Sequence, residues 1–196
     1  MRKLFVVLFS SVTLLSYGQG KVDVLHYKFS IELNDNNDTI SGRAEITVLT
    51  VTETEAFTFD IVFARAGDKG MSVEKTFFYS EERKEWANIG FVQDSDGFCI
   101  IGFDKKLSKG TTFKIAVLYK GIPADGLIIS KNKYGKRTFF ADNWPNRAHN
   151  WIPCVDDPAE KATVEFLVTA PSHYQVISNG VQVEETNLPD NKKLTH

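Results

Sequence analysis

The sequence predicts an all-β fold, a two-sheet β-sandwich or saddle. Three observations predict it. Short apolar runs alternate with period two from Val22 onward, as strands with one buried face do. Turn-type clusters separate the runs, Asn34-Asp35-Asn36-Asn37-Asp38 and Asn179-Gly180 among them. No segment carries a convincing helical stripe, and 15 Phe in 196 residues suit pleated surfaces.

The segments follow in order. Tyr27, Phe29, Ile31 and Leu33 alternate with polar neighbours and predict a first strand. Ile40, Ala44, Ile46 and Val48 predict its hairpin partner, in which Gly42 marks either a bulge or a close backbone approach. Phe57, Phe59 and Ile61 form a third run, and Met71 to Tyr79 a fourth. Glu81 to Asn88 reads either as a helix or as strand–turn–strand with Trp86 inward. Phe98 to Phe103 is apolar on both faces, as in a central strand. Phe113, Ile115, Val117 and Tyr119 share one face of the next run, and Val164, Phe166 and Val168 one face of another. Tyr174–Ser178 and Val181–Glu184 flank Asn179-Gly180, a two-residue hairpin signal. Lys192 to His196 reads as a strand just beginning, so the chain is expected to stop inside a larger architecture.

Residues 1–18 read as a secretory signal peptide: Arg2 and Lys3, an apolar run from Leu4 to Leu15, then Ser16-Tyr17-Gly18 before Gln19. The run is shorter than the ~20 residues a membrane-spanning helix needs. The expectation is export, periplasmic or secreted, with residues 19–196 as the mature domain. The chain's formal charge is −2, and loss of the two basic residues of 1–18 leaves −4. That balance argues against a nucleic-acid partner. Cys99 and Cys154 both sit in apolar surroundings and read as buried free thiols, because a domain of this size needs no staple.

Complete catalytic apparatus is missing from the motifs. His26, His149, His173 and His196 include no H-E-x-x-H spacing, and His149 with Cys154 lacks the further ligands a zinc ion needs. The densest segment is 139–180, and its most unusual run is 139–163. Pro145, Pro153 and Pro158 stiffen a loop that carries Asp142, Trp144, Arg147, Trp151, Asp156 and Asp157. Asp142 with Asn143 has one local reading, a turn cap. Arg147 reads as a loop brace to Asp156 or Asp157, and Lys161 as a solvated strand-edge residue.

Pro153-Cys154-Val155-Asp156-Asp157-Pro158-Ala159-Glu160-Lys161-Ala162-Thr163-Val164 resembles the P-C-x-D-x-P-x-x-K-A-T-F signature of the aminopeptidase N family of zinc metallopeptidases, the gluzincins that include the leukotriene hydrolase relatives. Pro171 with Ser178-Asn179-Gly180, Gly126-Leu127 before Phe139-Phe140, and the strand from Asp23 to Leu33 are similar to further family features, so the resemblance covers most of 22–196. It implies the N-terminal β domain of an exported aminopeptidase, expected to be inactive alone, with the catalytic domain and its zinc outside this chain. It also implies two substrate-binding residues for a peptide N-terminus. Asp142 stands at the first position of the family's Q-x-E-P pattern, where a side chain holds the α-ammonium. Trp144 replaces the second acidic position and either lines the pocket for the first side chain or wedges the loop. Two other readings stand beside this one: an exported β-sandwich that binds sugar through Trp144 and Trp151, or binds protein, and a non-catalytic scaffold of the same fold.

Overall fold

The computed structural model describes residues 21–65, 68–94 and 97–196. Residues 1–18, for which a signal peptide is expected, lie outside them. Thirteen strands follow one another: β1 (Val22–Glu32), β2 (Ile40–Thr50), β3 (Thr54–Asp60), β4 (Gly70–Ser80), β5 (Glu85–Ile89), β6 (Val92–Gln93), β7 (Phe98–Leu107), β8 (Thr112–Ile122), β9 (Leu127–Lys131), β10 (Arg137–Ala141), β11 (Thr163–Pro171), β12 (Glu185–Leu188) and β13 (Lys192–Thr195). A single 3-10 turn, Ala148–Asn150, interrupts the β pattern among the described residues.

Eight strands form one sheet in the order β12-β13-β11-β1-β2-β8-β4-β5; β3-β7-β6 form a second, and β9 and β10 a separate ribbon. Within the large sheet only β1 and β11 run parallel, Tyr27 opposite Val164 and Ile31 opposite Val168. A parallel pair cannot be closed by a tight turn. The chain between them builds β2 to β10 and returns through the loop that precedes β11.

The core lies between the large sheet and the three-stranded one. Ala44, Ile46 and Val48 of β2 and Phe113, Ile115, Val117 and Tyr119 of β8 face Phe57 and Phe59 of β3 and Cys99 and Ile101 of β7, all buried. Phe57 meets the edge of Phe113 at 6.0 Å between ring centroids, a favoured aromatic geometry. Each fully buried side chain of this size stabilises the fold by about 1.5–3 kcal/mol.

A bulge between Val24 and His26 lets both Val24 and Tyr27 point into the core and pushes Leu25 outward. Simple alternation along β1 does not reveal it. Gly42 carries no register shift. It is instead a close approach, since a Cβ there would lie 2.4 Å from the Tyr119 ring.

Two expectations need correction. Glu81 to Asn88 forms the turn after β4 and most of β5, a strand–turn–strand unit, but Trp86 packs on the outer face. Its ring lies 5.1 Å from Tyr79 and 4.9 Å from the Arg43 guanidinium. Thr76 and Phe78 occupy the core side of that strand pair, so the opposite parity carries Tyr79 and Trp86 outward. The predicted hairpin around Asn179-Gly180 forms no ladder. Residues 174–184 run without strand pairing, leaving Ile177, Val181 and Val183 exposed. Lys192 to Thr195 does form a strand, β13, between β11 and β12.

Candidate functional site

The β9–β10 ribbon delivers the loop that sequence singled out. Ala141 pairs with Leu127 at the ribbon's end, and the Asp142 N–H continues the pattern by donating to the Gly126 carbonyl at 2.8 Å. Gly126 has φ +74°, and a Cβ there would sit 2.2 Å from the Arg147 carbonyl oxygen. Only glycine fits both the left-handed conformation and that contact.

Asp142 is not sealed beneath its sheet; its side chain keeps 44% exposure. Its Oδ2 accepts a hydrogen bond from Arg147 Nη1 at 2.8 Å. The other edge of the same guanidinium grips Asp125 with two bonds, Nε to Oδ2 at 2.8 Å and Nη2 to Oδ1 at 2.6 Å. That bidentate pairing, with the Gly126 N–H, holds the Asp125 carboxyl below the usual carboxylate range. Arg147 is therefore a loop brace, but to Asp125 and Asp142 rather than to Asp156 or Asp157. Nor does the Asp142 carboxylate cap its own turn. The Arg147 N–H closes that turn on the Asn143 carbonyl at 3.0 Å.

Trp144 stands 79% exposed at the tip, ahead of a cis bond to Pro145. Trp151 is the opposite case, buried, with its indole N–H donating to Asn143 Oδ1 at 3.0 Å. The two indoles do not share a surface, so the pair of rings proposed for sugar stacking does not exist.

The second half of the loop is stitched to the body. Asp60 and Cys154 exchange backbone hydrogen bonds at 2.7 and 3.2 Å, and the Val62 N–H donates to the His149 carbonyl at 2.8 Å. The Val155 N–H donates to the Tyr27 hydroxyl at 2.9 Å, whose own ionisation burial pushes far up. Asp156 accepts from the His149 N–H at 3.1 Å and lies 2.6 Å from its ring Nδ1, while its own N–H donates to Asp60 Oδ2 at 3.0 Å. Asp156 is a structural residue. Lys161 is exposed, its ammonium donating to the Pro158 carbonyl at 2.7 Å.

Cys99 and Cys154 are free and buried. Burial pushes the Cys99 thiol up to about 12 and the Cys154 thiol well above its ordinary value. Neither suits a nucleophile, which works as the thiolate. No group of three or more His, Cys, Asp or Glu side chains converges as a metal ion requires, among the described residues. Around Glu165, where His26 and His196 approach, the Lys28 ammonium stands 3.0 Å from the carboxylate. The residues present do not fit a zinc ion.

Sequence reasoning missed Asp125. The one local signal is the dipeptide Asp125-Gly126, a turn-forming pair.

Fold and loop together define a β-sandwich domain that presents a braced, partly acidic loop at one end of a ribbon. The family model described as the Peptidase M1 N-terminal domain matches residues 24–196, and the chain belongs to that family. Aminopeptidase A of Gloydius brevicauda is 30% identical over 108 residues, 52% of this chain and 11% of that protein. The M1 zinc metallopeptidase of Deinococcus radiodurans superposes with a TM-score of 0.71 at 19% identity, over 91% of this chain and 39% of that one. A mutant of the Deinococcus enzyme, solved with a Tyr-Ser-Ala substrate, matches equally well. The chain thus spans well under half the length of these relatives.

Proposed function

We propose that this chain is the N-terminal domain of an exported zinc aminopeptidase, that it docks on the catalytic domain, and that it contributes recognition of the substrate's free α-ammonium through Asp142. The observation that carries the reading is the position of the Asp142 carboxylate. It sits at the end of a ribbon, partly exposed, with Arg147 bonded to Oδ2 alone. A carboxylate in that setting pairs with an ammonium group by a charge-assisted hydrogen bond, and a peptide without a free amine forfeits that contact.

Trp144, two residues further along the chain and largely exposed, is the residue assigned in this reading to the space for the first side chain. The zinc belongs to the catalytic domain; nothing in this chain's described residues is asked to hold it. The composition of residues 1–18 supports export.

In the full-length enzyme, Asp142→Ala is expected to lower kcat/KM for an aminoacyl-nitroanilide about 10-fold or more, from loss of one charged contact. An unchanged kcat/KM removes Asp142 from the site. Trp144 also favours a second reading, a sugar-binding module, through its exposed ring. Glycan binding by the wild-type protein that disappears in Trp144→Ala is the result that would establish it.

A further inference from the structure

Resting on the amine-recognition reading, we propose that Arg147 and Asp125 are positioning residues that fix Asp142 and leave the trio with a net negative charge for its ligand. The geometry forms a closed ring. The Asp142 N–H is bound to the Gly126 carbonyl at 2.8 Å, and Gly126 directly follows Asp125. Asp125 holds Arg147 through two hydrogen bonds of 2.8 and 2.6 Å. Arg147 returns to Asp142 through the third nitrogen, at 2.8 Å. The Arg147 backbone is itself fixed, since its N–H bonds to the Asn143 carbonyl and its carbonyl accepts from the Asn150 N–H at 3.2 Å.

The charges explain why two carboxylates are needed. A lone arginine beside Asp142 would neutralise it and repel an ammonium group at short range. Here the guanidinium gives two bonds to Asp125 and one to Asp142, so two carboxylates share one cation and the trio keeps a net negative charge. Only Oδ2 of Asp142 is taken by Arg147, and Oδ1 carries no hydrogen bond among the described residues. Arginine's planar fork suits this division of labour, because it can serve two carboxylates from different edges without moving. Asp125 therefore affects amine binding although it does not itself touch the substrate.

The test is made in the full-length enzyme with an aminoacyl-nitroanilide, measuring KM and kcat separately and the melting temperature of each variant. Asp125→Asn turns the trio neutral. It is expected to raise KM roughly threefold or more with kcat changed less than about twofold, and Asp125→Glu, which restores the charge, should recover most of the loss. In an Asp142→Asn background, Asp125→Asn should have no further effect on KM, because the charge it protects is gone.

If Asp142→Asn raises KM but Asp125→Asn does not, the positioning role is wrong and amine recognition by Asp142 survives. If Asp142→Asn itself leaves KM and kcat/KM unchanged, the recognition reading falls and takes this inference with it. Should Asp125→Asn fail to fold, Arg147→Lys decides. It keeps the positive charge without the fork, and an unchanged KM there overturns the proposal.

Discussion

Two connecting segments of this domain both carry sequence that resembles the family's and have opposite structures. The loop from Asp142 to Pro158 is tied at almost every step: Arg147 to Asp125 and Asp142, Trp151 to Asn143, Cys154 to Asp60, Val155 to Tyr27, and Asp156 to His149. The segment from Gln175 to Gln182 has no backbone hydrogen bond among the described residues and presents Ile177 and Val181 to solvent. Both contain turn-forming residues. The difference is in partners. The first loop crosses the end of the sandwich, where the body offers backbone and side-chain groups to meet it. The second passes over β11, whose Val164 is itself exposed. A turn signal fixes a local bend, but a segment becomes ordered structure only where its polar groups find partners and its apolar groups find cover.

The comparison can be broken most severely at Trp151. Its indole is buried and anchors the loop to the core. Trp151→Ala is expected to cost about 3–5 kcal/mol in denaturant unfolding. A loss below 1 kcal/mol would mean that the loop is held by its polar ties alone. Gly126 comes next. Alanine there must adopt a positive φ and meet the Arg147 carbonyl oxygen, so Gly126→Ala should destabilise by about 1–3 kcal/mol and weaken the Asp142 contact with Arg147. Equal stability of the two proteins would show that the ribbon's end can shift to make room.

The smallest expected effect belongs to the other segment. Val181→Ser should change stability by no more than about 0.5 kcal/mol, since the side chain is 88% exposed. Native-state hydrogen exchange sharpens the contrast within one experiment. The amides of Arg147, Trp151, Ile152 and Cys154 should be protected, and those of Gln175 to Gln182 should exchange rapidly. Protection of both segments alike would mean that residues 175–182 are held as firmly as the loop.

Much of the fold was legible because period-two alternation reports which face of a strand is buried. Tyr27, Phe29 and Ile31, or Phe113 to Tyr119, need no tertiary information to be placed inward. The Leu25 bulge and the outward Trp86 were not legible, because parity along one strand does not say where register slips or which face the second sheet covers. At the site, the segment 139–163 announced itself through its prolines, tryptophans and acidic residues, and Asp142 was found at the end of its ribbon. Arg147 was read as a brace, yet its partner Asp125 lies 22 residues upstream, beyond any local pattern.

By itself the sequence determined the β class, the inward residues of the main strands, the family and the loop worth examining. These follow from local periodicity and from motif spacing, which the chain carries along its length. Tertiary structure alone decided that Trp151 is core while Trp144 is surface, that Asn179-Gly180 makes no ladder, and that one guanidinium joins two distant carboxylates. Each of those depends on what another part of the chain brings within hydrogen-bond or van der Waals distance, a quantity that no single stretch of sequence contains.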